Sequence, residues 1–138
     1  EKFFLIPKIC LSAINAKKFN TKTKFGNLDI QRDWNWCEDQ CKIILKIINK
    51  KPQDFILSNG KLFSARQMLK FAFDYFNLNY KKFIIENSKK FLRPIEIKLK
   101  KSNYLETLKK NNIKKINYIY GKEIINKLIK HYQRTNNK

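Results

Sequence analysis

Apolar residues return at helical spacing in four separate segments of this chain, and that periodicity sets the fold class. Ile6, Ile9, Cys10, Ala13 and Ile14 make the first stripe, with Pro7 where proline suits a first helical turn. Cys37, Cys41, Ile44, Leu45 and Ile48 make the second, at i, i+4, i+7, i+8 and i+11, and Lys50, Lys51 and Pro52 close it. Ala65, Met68, Leu69, Ala72, Phe73 and Phe76 make the third, with Ser64 as its expected N-cap. Tyr120, Ile124, Ile125, Leu128, Ile129 and Tyr132 make the last, after a short helix expected over Ser102–Lys110. Strand signals are fewer: Lys24–Leu28, Asp54–Ser58 closed by the turn pair Asn59-Gly60, and Lys82–Glu86. The expected fold is a single α/β unit over residues 1–138, helix-rich with a few short strands. Residues 134–138 read as a frayed polar tail.

A chain of 138 residues that is 43% hydrophobic can bury a core. No apolar run approaches the ~20 residues that span a bilayer, so no membrane partner is expected. The opening EKFFLIPKICLSAI carries Glu1, Lys2 and Lys8 and has no small-residue cleavage site, which argues against a signal peptide. Three cysteines, Cys10, Cys37 and Cys41, fit a reducing, cytoplasmic setting. Cys37 and Cys41 lie one helical turn apart, like half a metal site. No paired histidine accompanies them, and the favoured reading is two small apolar residues on a buried helix face.

The net charge of +20 raises the question of nucleic acid. Lysines outnumber arginines 27 to 4, yet a phosphate- or base-reading surface recruits the planar fork of arginine. The lysines are also spread along the whole chain. Ile, Lys and Asn, all encoded by A- and T-rich codons, fill 62 of 138 positions. A solvated lysine coat produced by codon drift is the favoured reading, and a small basic nucleic-acid-binding protein is the rival.

Catalytic motifs are scarce. Three glycines, Gly26, Gly60 and Gly121, form no Gly-x-Gly-x-x-Gly and no phosphate loop. Tyr118-x-x-x-Lys122 matches the pair in which a lysine lowers a tyrosine pKa in short-chain dehydrogenases, but no dinucleotide fold precedes it, and it reads as a chance match. What remains is Arg32, set between Asp29 and Asp33 and before Trp34 and Trp36, and the FLRPIEI cluster with Arg93 and Glu96. An arginine can clamp a diphosphate through parallel hydrogen bonds, and a carboxylate can accept from a ribose diol. On residue types alone, a local surface ion pair between Arg93 and Glu96 is the favoured reading.

Four segments carry a resemblance. GNLDIQRDWNWCEDQ resembles the Gly-Asn-Leu-Asp-x-x-Arg-Asp-Trp-Gly-His-Ala-x-Asp-Tyr segment of GDP-mannose 4,6-dehydratases, which are extended short-chain dehydrogenase/reductase enzymes. DFILSNGKLFSARQMLKFAFDYF is similar to that family's Asp-Tyr-Val-x-Ala-Thr-Gly-x-x-x-Ser-Val-Arg-x-Phe segment. FLRPIEI is similar to its Arg-Pro-x-Glu-Val, and FFLIPKI to its Phe-Val-Thr-Arg-Lys-Ile. The resemblance implies the C-terminal, substrate-binding part of such an enzyme, a lyase that turns GDP-mannose into GDP-4-keto-6-deoxymannose and water. By position it implies that Arg32 and Arg93 meet the diphosphate side of GDP-mannose, that Glu96 holds the ribose, and that Lys8 lies near the nucleotide.

The resemblance also implies NADP as cofactor and a homo-oligomeric complete enzyme. In that reaction hydride leaves sugar C4 for the nicotinamide, water is lost across C5–C6, and hydride returns at C6. The Rossmann half that would carry this chemistry is expected to precede Glu1, so the chain alone is expected to be inactive, with no catalytic or cofactor-binding residue of its own. An exposed apolar surface is expected where that half would pack. The sequence departs from the family at Asn35-Trp36-Cys37, where Gly-His-Ala is usual, and at Pro7. Another nucleotide-sugar epimerase or reductase of the same superfamily is the nearer alternative.

Overall fold

The first stripe folds as its spacing dictates. In the computed structural model, which describes residues 4–86, 102–114 and 116–135, helix α1 spans Leu5–Phe19 and buries Ile9, Cys10, Ala13 and Ile14. Asn20 ends it in the left-handed region at φ 53°, a conformation that asparagine tolerates, and its N–H returns to the Ala16 carbonyl. The third stripe becomes α3 (Ala65–Asp74), and the fourth becomes α5 (Lys122–Thr135). Ser64 is the expected N-cap: its hydroxyl accepts from the Gln67 N–H while the Gln67 side chain accepts from the Ser64 N–H.

Helices α1, α3 and α5 pack on one another around Ile9, Met68, Leu69, Phe73, Ile125 and Ile129. Each of these side chains is fully buried. Burying an aliphatic or aromatic side chain of this size is worth roughly 1.5–3 kcal/mol, so this cluster dominates the stability.

The strands are shorter than their sequence signals. Strand β1 (Thr23–Phe25) pairs in parallel with β4 (Ile84–Glu86), and β2 (Gln31–Arg32) pairs antiparallel with β3 (Phe63–Ser64). The strand expected over Lys24–Leu28 stops at Phe25, and the Leu28 N–H donates to the Glu86 carboxylate instead of to a ladder. A one-turn 3-10 helix over Tyr80–Lys82 takes the start of the strand expected from Lys82.

The strand expected over Asp54–Ser58 does not form. Side chains take its polar groups: the Ile56 N–H donates to the Thr107 hydroxyl, and the Ser58 hydroxyl donates to Asp33. Ile56 and Leu57 are left partly exposed. The Asn59-Gly60 turn is present, with Gly60 at φ 73° and the Lys61 N–H on the Asn59 side chain.

Helix α2 (Cys37–Ile47) exists where expected but is rotated from the expected face. Asp39, Ile43 and Ile47 point inward, while Cys37, Cys41, Ile44, Leu45 and Ile48 are exposed. The reason is polar. The Asp39 carboxylate, only 3% exposed, accepts from the Ile119 N–H at 3.0 Å, which fixes the inward face at i, i+4, i+8. Ile43 and Ile47 then meet Leu108 of α4 (Tyr104–Lys110) in a small second cluster. The cysteine pair is therefore a surface feature rather than part of a buried face.

Arg134 and Thr135 belong to α5 rather than to a frayed tail, and the Thr135 hydroxyl donates to the His131 and Tyr132 carbonyls. Among the described residues no helix is long and apolar enough to cross a membrane.

Candidate functional site

The segment Arg32-Asp33-Trp34 is held from both sides. Arg32 sits on β2 opposite Phe63 of β3. The Asp33 carboxylate accepts from the Ser58 hydroxyl, from the Gly60 N–H at 3.2 Å and from the Asn59 N–H at 3.5 Å. Ser102 adds its hydroxyl to Ser58. The Trp34 indole donates to the Phe63 carbonyl at 3.1 Å, and the Asn59 amide donates to the Trp34 carbonyl at 2.9 Å. Asp33 is thus consumed by the Ser58–Gly60 turn and is no partner for the arginine beside it.

That leaves Arg32 with its charge uncommitted. Its guanidinium donates to the carbonyl of Gln31 at 2.7 Å, and among the described residues it forms no ion pair. A half-buried guanidinium on β2, with no carboxylate against it among the described residues, is a ready anion ligand.

Arg66 shows the contrast. It grips Asp29 at 2.9 and 3.2 Å and Glu86 at 3.1 and 3.2 Å. The hydrogen bond from Arg66 holds the Asp29 carboxyl below the usual carboxylate range, and Asp29 in turn raises the Arg66 pKa. Arg66 therefore ties the start of α3 to the end of β4 and to the loop just before Arg32. The sequence reading passed over it, although the scarcity of arginine that singled out Arg32 pointed equally to Arg66.

Lys8 lies apart from Arg32. Its ammonium donates to the Lys24 carbonyl at 2.7 Å and sits 4.6 Å over the Phe25 ring, so it is turned toward β1. Arg93 and Glu96 fall outside the described residues.

Tyr118 behaves opposite to a catalytic tyrosine. Its hydroxyl is buried without a partner among the described residues. Burial, then Tyr104, Asp39 and Asp33, push its pKa up to about 12. A dehydrogenase tyrosine needs the reverse shift, so Tyr118-x-x-x-Lys122 is a chance match here.

Nor do these residues fit a nicotinamide dinucleotide, whose pyrophosphate needs glycines where strand meets helix. A Cβ added at Gly60 would meet the Tyr104 ring at 2.5 Å, and one at Gly121 would meet Phe63 at 2.9 Å. Aromatic rings of the chain itself already fill both spaces.

The GDP-mannose 4,6 dehydratase family model matches residues 1–121. The chain belongs to that family. Two family members of Arabidopsis thaliana, GDP-mannose 4,6 dehydratase 1 and 2, are each 30% identical over 78 residues, covering 56% of this chain and 21% of the relative. The Homo sapiens GDP-mannose 4,6 dehydratase is 35% identical over 49 residues, covering 35% of this chain and 13% of the relative. The chain thus spans 21% of the length of the Arabidopsis relatives it matches. The match favours the dehydratase reading over the epimerase and nucleic-acid readings. The helix-rich fold with short strands agrees with a portion of an α/β dehydratase.

Proposed function

We propose that this chain supplies part of the GDP-sugar subsite of a sugar-nucleotide 4,6-dehydratase, a lyase that converts GDP-mannose to GDP-4-keto-6-deoxymannose and water. The observation that carries the reading is the guanidinium of Arg32, which forms no ion pair among the described residues, beside a carboxylate, Asp33, that is already occupied. Arg32 binds the diphosphate, Arg93 joins it, and Glu96 accepts from the ribose. Lys8 contributes only if it leaves the Lys24 carbonyl.

NADP binds to a Rossmann portion outside these residues, and the complete enzyme is a cytoplasmic homo-oligomer. This chain alone binds without catalysing. Phe4, Phe19, Leu45 and Ile48 are strongly exposed, and a Rossmann portion would have such apolar side chains to cover.

The test is to read the coding frame upstream of Glu1. A glycine-rich βαβ start followed by Tyr-x-x-x-Lys is expected. A stop codon or an unrelated sequence would remove the dehydratase chemistry from this protein, leaving only the fold and a nucleotide site.

A further inference from the structure

The rotation of α2 turns its two cysteines into a surface pair with chemistry of its own. Cys37 opens the helix and Cys41 follows one turn later, both exposed, with their sulfurs 3.9 Å apart. A disulfide needs Cβ atoms about 3.8 Å apart, whereas i, i+4 positions on a helix hold them roughly 5–6 Å apart. The helix therefore resists direct oxidation of the pair. A bridging ion meets no such obstacle. With metal–sulfur bonds of about 2.3 Å, tetrahedral coordination sets two thiolates roughly 3.8 Å apart. The observed separation already matches that spacing without movement of the backbone.

We propose that Cys37 and Cys41 form a bidentate dithiolate site for a thiophilic divalent cation of the zinc class. The cation takes one electron pair from each sulfur, and each thiol releases its proton to solvent, so two protons leave per ion bound. Among the described residues no group of three or more His, Cys, Asp or Glu side chains is arranged around a metal position, so the remaining coordination positions belong to water. Glu38, the nearest carboxylate in sequence, is already held by Lys42 at 3.0 Å and by the Trp36 indole at 3.3 Å. Those contacts also brace the start of α2, where the two cysteines lie on successive turns. Cys10 takes no part: it is fully buried in the main core, and burial pushes its thiol up to about 12.

Cadmium(II), a spectroscopic stand-in for zinc(II), tests the site on the 138-residue chain kept reduced with a phosphine. The expected result is a thiolate-to-cadmium charge-transfer band that saturates at one ion per chain. Cys37→Ser and Cys41→Ser should each weaken binding at least tenfold, because each removes one arm of the chelate. Cys10→Ala should leave the titration unchanged. Far-UV circular dichroism on every variant keeps a folding loss from mimicking a binding loss. Absence of the band, or a band of equal affinity in either single serine variant, would overturn the proposal.

Discussion

The two apolar clusters of this protein were built by different rules. In the α1–α3–α5 core, α3 and α5 each have one apolar stripe and a polar remainder, so their buried faces are unambiguous and α1 packs on them. In the α2–α4 cluster, α2 carries Ile43, Ile44, Leu45, Ile47 and Ile48 nearly in succession, and hydrophobicity alone allows several faces. There the choice falls to a single polar contact, the buried Asp39 carboxylate on the Ile119 N–H. Where apolar residues are in excess, the group that must not be left unpaired decides the rotation.

Substitutions can break this comparison, and the largest effect belongs to the main core. Phe73→Ala should cost about 3–5 kcal/mol by chemical denaturation, because Phe73 is fully buried and leaves a large cavity. Asp39→Ala should cost about 1–3 kcal/mol, since it leaves the part-buried Ile119 N–H without this acceptor. If α2 were held by its apolar residues alone, Asp39→Ala would be close to neutral. Ser64→Ala should cost about 1 kcal/mol through loss of the capping box that starts α3. Leu45→Ser should shift stability by no more than about 0.5 kcal/mol, because the side chain is 72% exposed. A loss comparable to that at Asp39 would restore the face expected from periodicity.

The same contrast explains what the sequence made legible. Helices α1, α3 and α5 could be read because the stripe and the buried face agreed in each, and in α3 the Ser64 cap agreed as well. The strand expected at Asp54–Ser58 failed because its apolar pattern met no strand to pair with among the described residues, and Asp33 and Thr107 took its polar groups. Contacts between residues so distant in sequence leave no local signal. At the candidate site, the scarcity of arginine draws attention to Arg32. It gave no way to tell an arginine left open for an anion from one such as Arg66, closed by two carboxylates. Lys8 was placed near the nucleotide by resemblance, and the packing of α1 on β1 turns it to the Lys24 carbonyl.

We propose that Arg32 is held open for a diphosphate. Calorimetric titration of the chain with GDP-mannose, for wild type and Arg32→Lys, tests it most directly. The account predicts binding that prefers GDP over adenine nucleotides, persists in moderate salt, and weakens about tenfold or more in Arg32→Lys as the bidentate contact is lost. Equal affinity in the two proteins, or binding that ignores the base and vanishes as salt rises, would contradict it and return the charge to a nonspecific lysine coat.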